Sequence, residues 1–138
     1  MIQFIAGEKG EGKTKRIIEM ANLLAKTADG NLVFIDDDKR HIYDLHYDIR
    51  FVETANFPLS NYRELIGFIC GILSMDHDIE YIFIDGLTNV VKNIDDESLI
   101  KLIAKLESLT GEKNLNFIIT MNCKKDELPE EVKRLLVA

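Results

Sequence analysis

Short apolar runs recur along the chain with helical spacing between them, and this alternation is the strongest constraint on its fold. Ile2-Gln3-Phe4-Ile5-Ala6, Leu32-Val33-Phe34-Ile35, Tyr81-Ile82-Phe83-Ile84 and Leu115 to Met121 read as strands. Apolar residues at consecutive positions need cover on both faces, as in a buried parallel sheet. Between them, Thr14 to Ala28 places Ile17, Ile18, Ala21, Leu24 and Ala25 on one helical face, with Asp29-Gly30 as the stop. Asn61 and Glu64 form a capping-box pair before Tyr62, Leu65, Ile66, Ile69 and Leu73, while Asp95, Asp96 and Glu97 suit the start of a helix carrying Leu99, Leu102, Ile103, Leu106 and Leu109. Pro129 opens a short last helix. Residues 39 to 48 carry no clear period, Ile49 to Thr54 reads as a further strand, and a loop follows through Pro58. Strands separated by helices require crossovers, so the expected fold is α/β: a mainly parallel twisted sheet with helices on both faces, in a single domain spanning 1–138. Ligands on such sheets sit at the C-terminal strand ends, where this sequence puts Gly7, Asp36 to Asp38, Asp85 and Asn122.

Charge narrows the partners. Lys and Arg number 17 against 24 Asp and Glu, a net charge of −7, which argues against a broad nucleic-acid footprint or an anionic membrane surface. The longest apolar stretch, Leu65 to Leu73, is far short of the roughly 20 residues that span a bilayer, and the first residues lack a basic n-region. The expected location is cytoplasmic, without membrane insertion. Cys70 and Cys123 stand in no metal-finger or redox spacing and read as thiols in a reducing compartment.

Between the first strand and the first helix lies Gly7-Glu8-Lys9-Gly10-Glu11-Gly12-Lys13-Thr14, which fits G-x-x-x-x-G-K-[ST] without a mismatch in the strand-to-helix context that the pattern requires. The glycines let the backbone curl and approach phosphate oxygens, while successive N–H groups and the helix N-terminus form an anion nest. Lys13 supplies a mobile positive charge for β and γ phosphates, and the Thr14 hydroxyl suits Mg²⁺. The expected phosphate-binding segment runs from Gly7 through Glu8, Lys9, Gly10, Glu11, Gly12, Lys13 and Thr14 to Lys15. Glu8 and Glu11 work against a polyanion unless both carboxylates point to solvent.

With this loop the sequence resembles the P-loop NTPases, and the order of its later landmarks resembles the RecA-type core over about residues 1 to 123. Tyr81-Ile82-Phe83-Ile84-Asp85 is similar to the Walker B strand, which implies that Asp85 stands beside a bound metal with Thr14. Phe34-Ile35-Asp36-Asp37-Asp38 resembles the second RecA-type strand, at whose end the family keeps a water-polarising glutamate. The matching position is Asp38, a shorter side chain, and Glu53 is a second candidate base. Ile118-Ile119-Thr120-Met121-Asn122 resembles the sensor strand, which implies that Asn122 reports the γ-phosphate. The resemblance thus implies a minimal three-layer nucleotide-binding domain with ATP and Mg²⁺ as cofactors, and Lys13, Asp38, Glu53 and Asn122 as catalytic candidates. No arginine finger is evident in the sequence.

Three functions follow as expectations. The first is Mg-dependent binding of ATP with weak hydrolysis at the β–γ bond. The second is a non-catalytic nucleotide-dependent switch or assembly subunit, acting through a homo-oligomer or a protein partner; without the further strands of recombinases, the first strand would lie near a sheet edge that invites pairing. The third is a small nucleoside or metabolite kinase, with Tyr43, Tyr47 and Arg40 around an acceptor. His41 and His46 have no third ligand in the sequence and read as loop residues rather than a metal site.

Overall fold

In a computed structural model describing residues 1–111 and 113–137, β1 (Ile2–Gly7), β2 (Asn31–Asp36), β3 (Arg50–Glu53), β4 (Ile79–Ile84) and β5 (Asn116–Asn122) form one five-stranded sheet in the order β1-β5-β4-β2-β3. Every pairing in it is parallel. Gly7 pairs with Asn122, Ile35 with Ile84 and Asp36 with Glu53, so the C-terminal strand ends finish nearly level along one rim.

The period-2 geometry of each strand divides its apolar residues between two cores. Phe4 and Ala6 of β1, Val33 and Ile35 of β2, Ile82 and Ile84 of β4, and Phe117 and Ile119 of β5 pack on one face. That face is covered by α2 (Tyr62–Met75), α3 (Leu87–Val90), α4 (Asp96–Thr110) and α5 (Glu130–Lys133). On the other face Ile5, Leu32, Phe34, Phe83 and Ile118 meet Ile17, Ile18 and Ala21 of α1 (Lys13–Thr27). Phe34 stacks between Phe51 and Phe83, with ring centroids 6.3 and 6.0 Å away. Each such fully buried side chain is worth about 1.5–3 kcal/mol relative to exposure. The expected α/β architecture is thus present, with helices on both faces.

The helix starts follow their sequence signals with one refinement. The Asn61 side chain accepts from Glu64 N at 3.0 Å, but the Glu64 carboxylate reaches back to Ser60 N rather than to Asn61 N. Asp95 caps α4 by accepting from Ser98 N. The β2–β3 crossover, whose residues 39 to 48 carry no clear period, contains only a 3-10 turn at Ile42–Asp44 within residues 37–49. The burial of Leu45 and Ile49 in the α1-side core anchors this loop, and Asn22 of α1 donates to Asp44 O and accepts from His46 N. No helix among the described residues is long and apolar enough to cross a membrane.

β1 is the outermost strand on its side, as expected for a sheet without further strands, yet its edge is not bare. Phe4 N donates to Leu135 O at 2.9 Å and Val137 N donates to Phe4 O at 3.0 Å, a parallel bridge that brings the tail beside β1. Leu135 and Leu136 pack on the α4-side core and Val137 on the α1-side core. Removing the chain from Leu135 onward should lower the unfolding free energy by about 2–4 kcal/mol through lost apolar burial and two backbone hydrogen bonds. Urea denaturation with sedimentation velocity checks this: the truncated chain should unfold at lower urea and self-associate through the bared edge, and an unchanged midpoint would assign the tail no stabilising part.

Candidate functional site

The loop between β1 and α1 owes its shape to two glycines. Gly10 and Gly12 sit at φ 89° and 80°, in the left-handed region, and a Cβ on either would meet nothing within 4 Å. Backbone conformation, rather than lack of space, calls for glycine at both. Inside the curl, Lys13 is 8% exposed and its Nζ donates to Glu8 O at 2.7 Å. Glu11 N donates to the same carbonyl at 3.3 Å, and the Glu11 carboxylate accepts from Glu8 N at 2.8 Å. Glu11 therefore turns back onto the loop instead of standing clear of it. Glu8 directs its own carboxylate outward, 3.9 Å from exposed Lys124.

The start of α1 inverts the usual electrostatics of a helix N-terminus. Its first turn carries Lys13, Lys15 and Arg16 and no acidic residue, and Gly12 supplies no side-chain cap. The partial positive charge of the helix dipole is thus increased rather than offset. The first turns of α2 and α4, by contrast, carry Glu64 and Asp96 with Glu97, behind the side-chain caps Asn61 and Asp95. A helix start of this kind is suited to an anion from outside the chain.

Facing it is a fixed set of oxygens. The Asp85 carboxylate, at the end of β4, accepts from Thr14 Oγ1 at 3.0 Å and from Thr120 Oγ1 at 2.7 Å, and Thr120 Oγ1 accepts in turn from Gly86 N at 2.7 Å. Thr120 is 1% exposed. It immobilises the aspartate while staying almost wholly buried, a positioning role that sequence reasoning missed. The available signal was a lone hydroxyl inside the apolar run Phe117-Ile118-Ile119-Thr120-Met121.

Asp36, which the sequence reading placed at a ligand-side strand end without a role, joins the site. It ends β2, is 4% exposed, and accepts from Asp37 N at 2.7 Å, while its carbonyl receives Thr54 N. Burial, followed by the Asp37 side chain and the nearby charge of Asp85, pushes its carboxyl up to about 8. The two expected bases lie elsewhere. Asp38 accepts from Arg40 N at 3.0 Å and from Arg40 Nε at 2.9 Å, and these contacts hold its carboxyl below the ordinary range. Glu53 lies beside Asp36 in the strand register, on the edge strand β3.

These groups surround a cleft of about 430 Å³ at the C-terminal rim of the sheet. Lys9, Gly10, Gly12, Lys13, Thr14, Lys15, Asp85 and Asn122 of the sequence-derived set line it, together with Asp36, Asp37, Arg40, His41, Asn89 and Thr120. Gly7, Glu8 and Glu11 build the loop behind this lining, and Asp38 and Glu53 are not part of it. A second cleft of about 570 Å³ opens at the opposite rim, where Asp76 is engaged by Asn31 and by Arg50, and Glu80 by Gly30 N. The donors offered by Thr14, Asp85 and Asp36 are all oxygen, the preference of Mg²⁺. No protein-family model matches the chain, and no curated protein matches it.

The protonation of Asp36 has a measurable consequence. A carboxyl whose pKa rises on folding retains its proton in the native state while the unfolded chain loses it, so stability falls as pH rises from about 4 to about 8. Asp36→Asn should remove that slope and stabilise the ligand-free protein by at least about 1 kcal/mol at pH 8, with little change at pH 4. Thermal melts of both proteins across this range check it, and parallel pH profiles would show that Asp36 ionises normally.

Proposed function

We propose that the chain is a Mg-dependent nucleoside triphosphate-binding protein of the P-loop class, with ATP as its ligand and slow hydrolysis of the β–γ bond. The observation that carries this reading is the pairing of a cationic helix start behind left-handed Gly10 and Gly12 with an oxygen cluster at Thr14, Asp85 and Asp36 across one cleft. An anion with an attached hard cation matches both halves, since the phosphates meet N–H groups and Lys13 while the cation meets oxygens. The β1-β5-β4 order also fits a RecA-like core, because the strand of Thr120 lies between the loop strand and the Asp85 strand.

In this reading Lys13 shifts from Glu8 O to the phosphates and offsets charge that develops as the terminal phosphoryl group leaves. Thr14 and Asp85 would hold Mg²⁺, directly or through its waters, and the ion would supply neutralisation of phosphate charge. Asn122 lines the cleft where it can report the terminal phosphate, and Lys9 and Lys15 add charge at the mouth.

Isothermal titration of MgATP into wild type and Lys13→Met tests the assignment. The charge-assisted contact is worth about 1.5–3 kcal/mol, so the variant should bind at least about tenfold more weakly while melting as a folded protein. Equal affinity in the two proteins would overturn the assignment.

The engagement of Asp38 by Arg40 favours a second reading, a nucleotide-dependent switch or assembly subunit. Neither expected base lines the cleft. Slow turnover follows from this, together with a lifetime of the loaded state long enough for a protein partner to read. Mg-dependent phosphate release measured against protein concentration separates the two: turnover per chain that rises with concentration indicates a site completed by association, and none above the Lys13→Met background indicates the switch.

A further inference from the structure

Two side chains of the phosphate-binding loop grip the same residue from opposite ends. Lys13 Nζ takes the carbonyl of Glu8 at 2.7 Å and the Glu11 carboxylate takes its N–H at 2.8 Å. Both side chains lie over Gly7, where Glu11 Oε2 would be 3.1 Å and Lys13 Cδ 3.6 Å from a Cβ at that position. The carboxylate is therefore fixed against the loop backbone by a charge-assisted hydrogen bond, instead of being free to swing away from an arriving anion. Glu8 differs in direction and not in exposure: both residues are exposed, but its carboxylate points out toward Lys124.

We infer that Glu11 sets the metal requirement of the site, so that the loop discriminates against a bare polyphosphate and accepts one whose charge is masked by a divalent cation. The inference rests on the nucleotide-binding reading above and identifies the form of ligand that the site takes. From Gly7 to Lys15, Lys9, Lys13 and Lys15 oppose Glu8 and Glu11, which leaves this anion-binding segment a surplus of one positive charge. Free ATP carries close to four negative charges at neutral pH and MgATP close to two, so a fixed carboxylate in the loop penalises the free form more. For two charges about 8 Å apart at an effective dielectric constant near 20, each unit of ligand charge is worth on the order of tenfold in affinity before solvent screens the exposed carboxylate. The same carboxylate also braces the curl by closing Glu8 N–H. Loss of charge and loss of the brace thus have opposite effects on affinity.

The test is titration calorimetry of ATP with excess Mg²⁺ and of ATP in EDTA, on wild type, Glu11→Gln, Glu11→Ala and Glu8→Gln, with thermal melts to establish folding. Glu11→Gln retains a carbonyl acceptor for Glu8 N–H and removes the charge. It should tighten metal-free ATP about tenfold or more and MgATP by less, which collapses the ratio of the two dissociation constants. Glu11→Ala should tighten metal-free ATP less than Glu11→Gln does and weaken MgATP, because it also releases the brace. Glu8→Gln should change the ratio less than Glu11→Gln does. The inference is overturned if Glu11→Gln keeps the wild-type ratio, or if Glu8→Gln changes it equally, since general charge and not the held carboxylate would then be responsible. If wild type binds neither form of ATP, the nucleotide-binding reading itself fails, an outcome distinct from the first two.

Discussion

The Asp85 carboxylate ties the sheet to the loop. One oxygen takes the hydroxyl of Thr14 from the first turn of α1, and the other takes the hydroxyl of Thr120 from β5, so three elements converge on one side chain at the end of β4. Parallel pairing makes this convergence available, because it brings the C-terminal ends of β1, β5 and β4 to the same rim. The apolar cores on the two faces hold the strands at that spacing. The site thus inherits its geometry from buried residues remote from any ligand, and its precision depends on rigid strand ends more than on the loop.

Much of this was legible in the sequence because apolar runs and helical periods are local patterns. The strands at Phe4, Phe34, Phe83 and Ile118 and the caps at Asn61 and Asp95 announce themselves within a few residues. The loop was equally visible, since its glycines are required by backbone conformation at Gly10 and Gly12. What escaped was nonlocal. Thr120 gains its role only when β5 lies beside β4, and Asp36 acquires its elevated pKa only through burial near Asp85. Asp38, chosen by its place after a strand, is held by Arg40 two residues along. The first and last positions in a run of three aspartates thus have opposite fates, and composition cannot separate them. The crossover over residues 37–49 was unreadable for a similar reason, as Leu45 and Ile49 alone are too few to declare a period and are ordered by the core they reach.

The rim also concentrates electrostatic strain. Cations crowd the positive end of the α1 dipole, and carboxyls at Asp36 and Asp85 crowd one another a short distance away. Each half is unfavourable for an empty protein, and each is relieved by a ligand of the matching sign. The stabilising terms lie elsewhere, in the stacked rings around Phe34 and in the caps of α2 and α4. Local rules of helix design are therefore obeyed away from the cleft and broken at it, the distribution expected where function opposes stability.

The placement of β1 also governs the order in which the chain can fold. Its neighbours are β5, at residues 116–122, and the tail at residues 135–137, so the strand made first pairs with segments made much later. The strands β2, β3 and β4 pair with one another and can assemble as they emerge. At ordinary synthesis rates β1 and the loop that follows it wait on the order of ten seconds for their partners. Long-range closure of this kind slows folding and leaves an apolar strand uncovered meanwhile. The candidate site is consequently a late product of folding, formed when Asn122 arrives beside Gly7 and the tail seals the other side of Phe4.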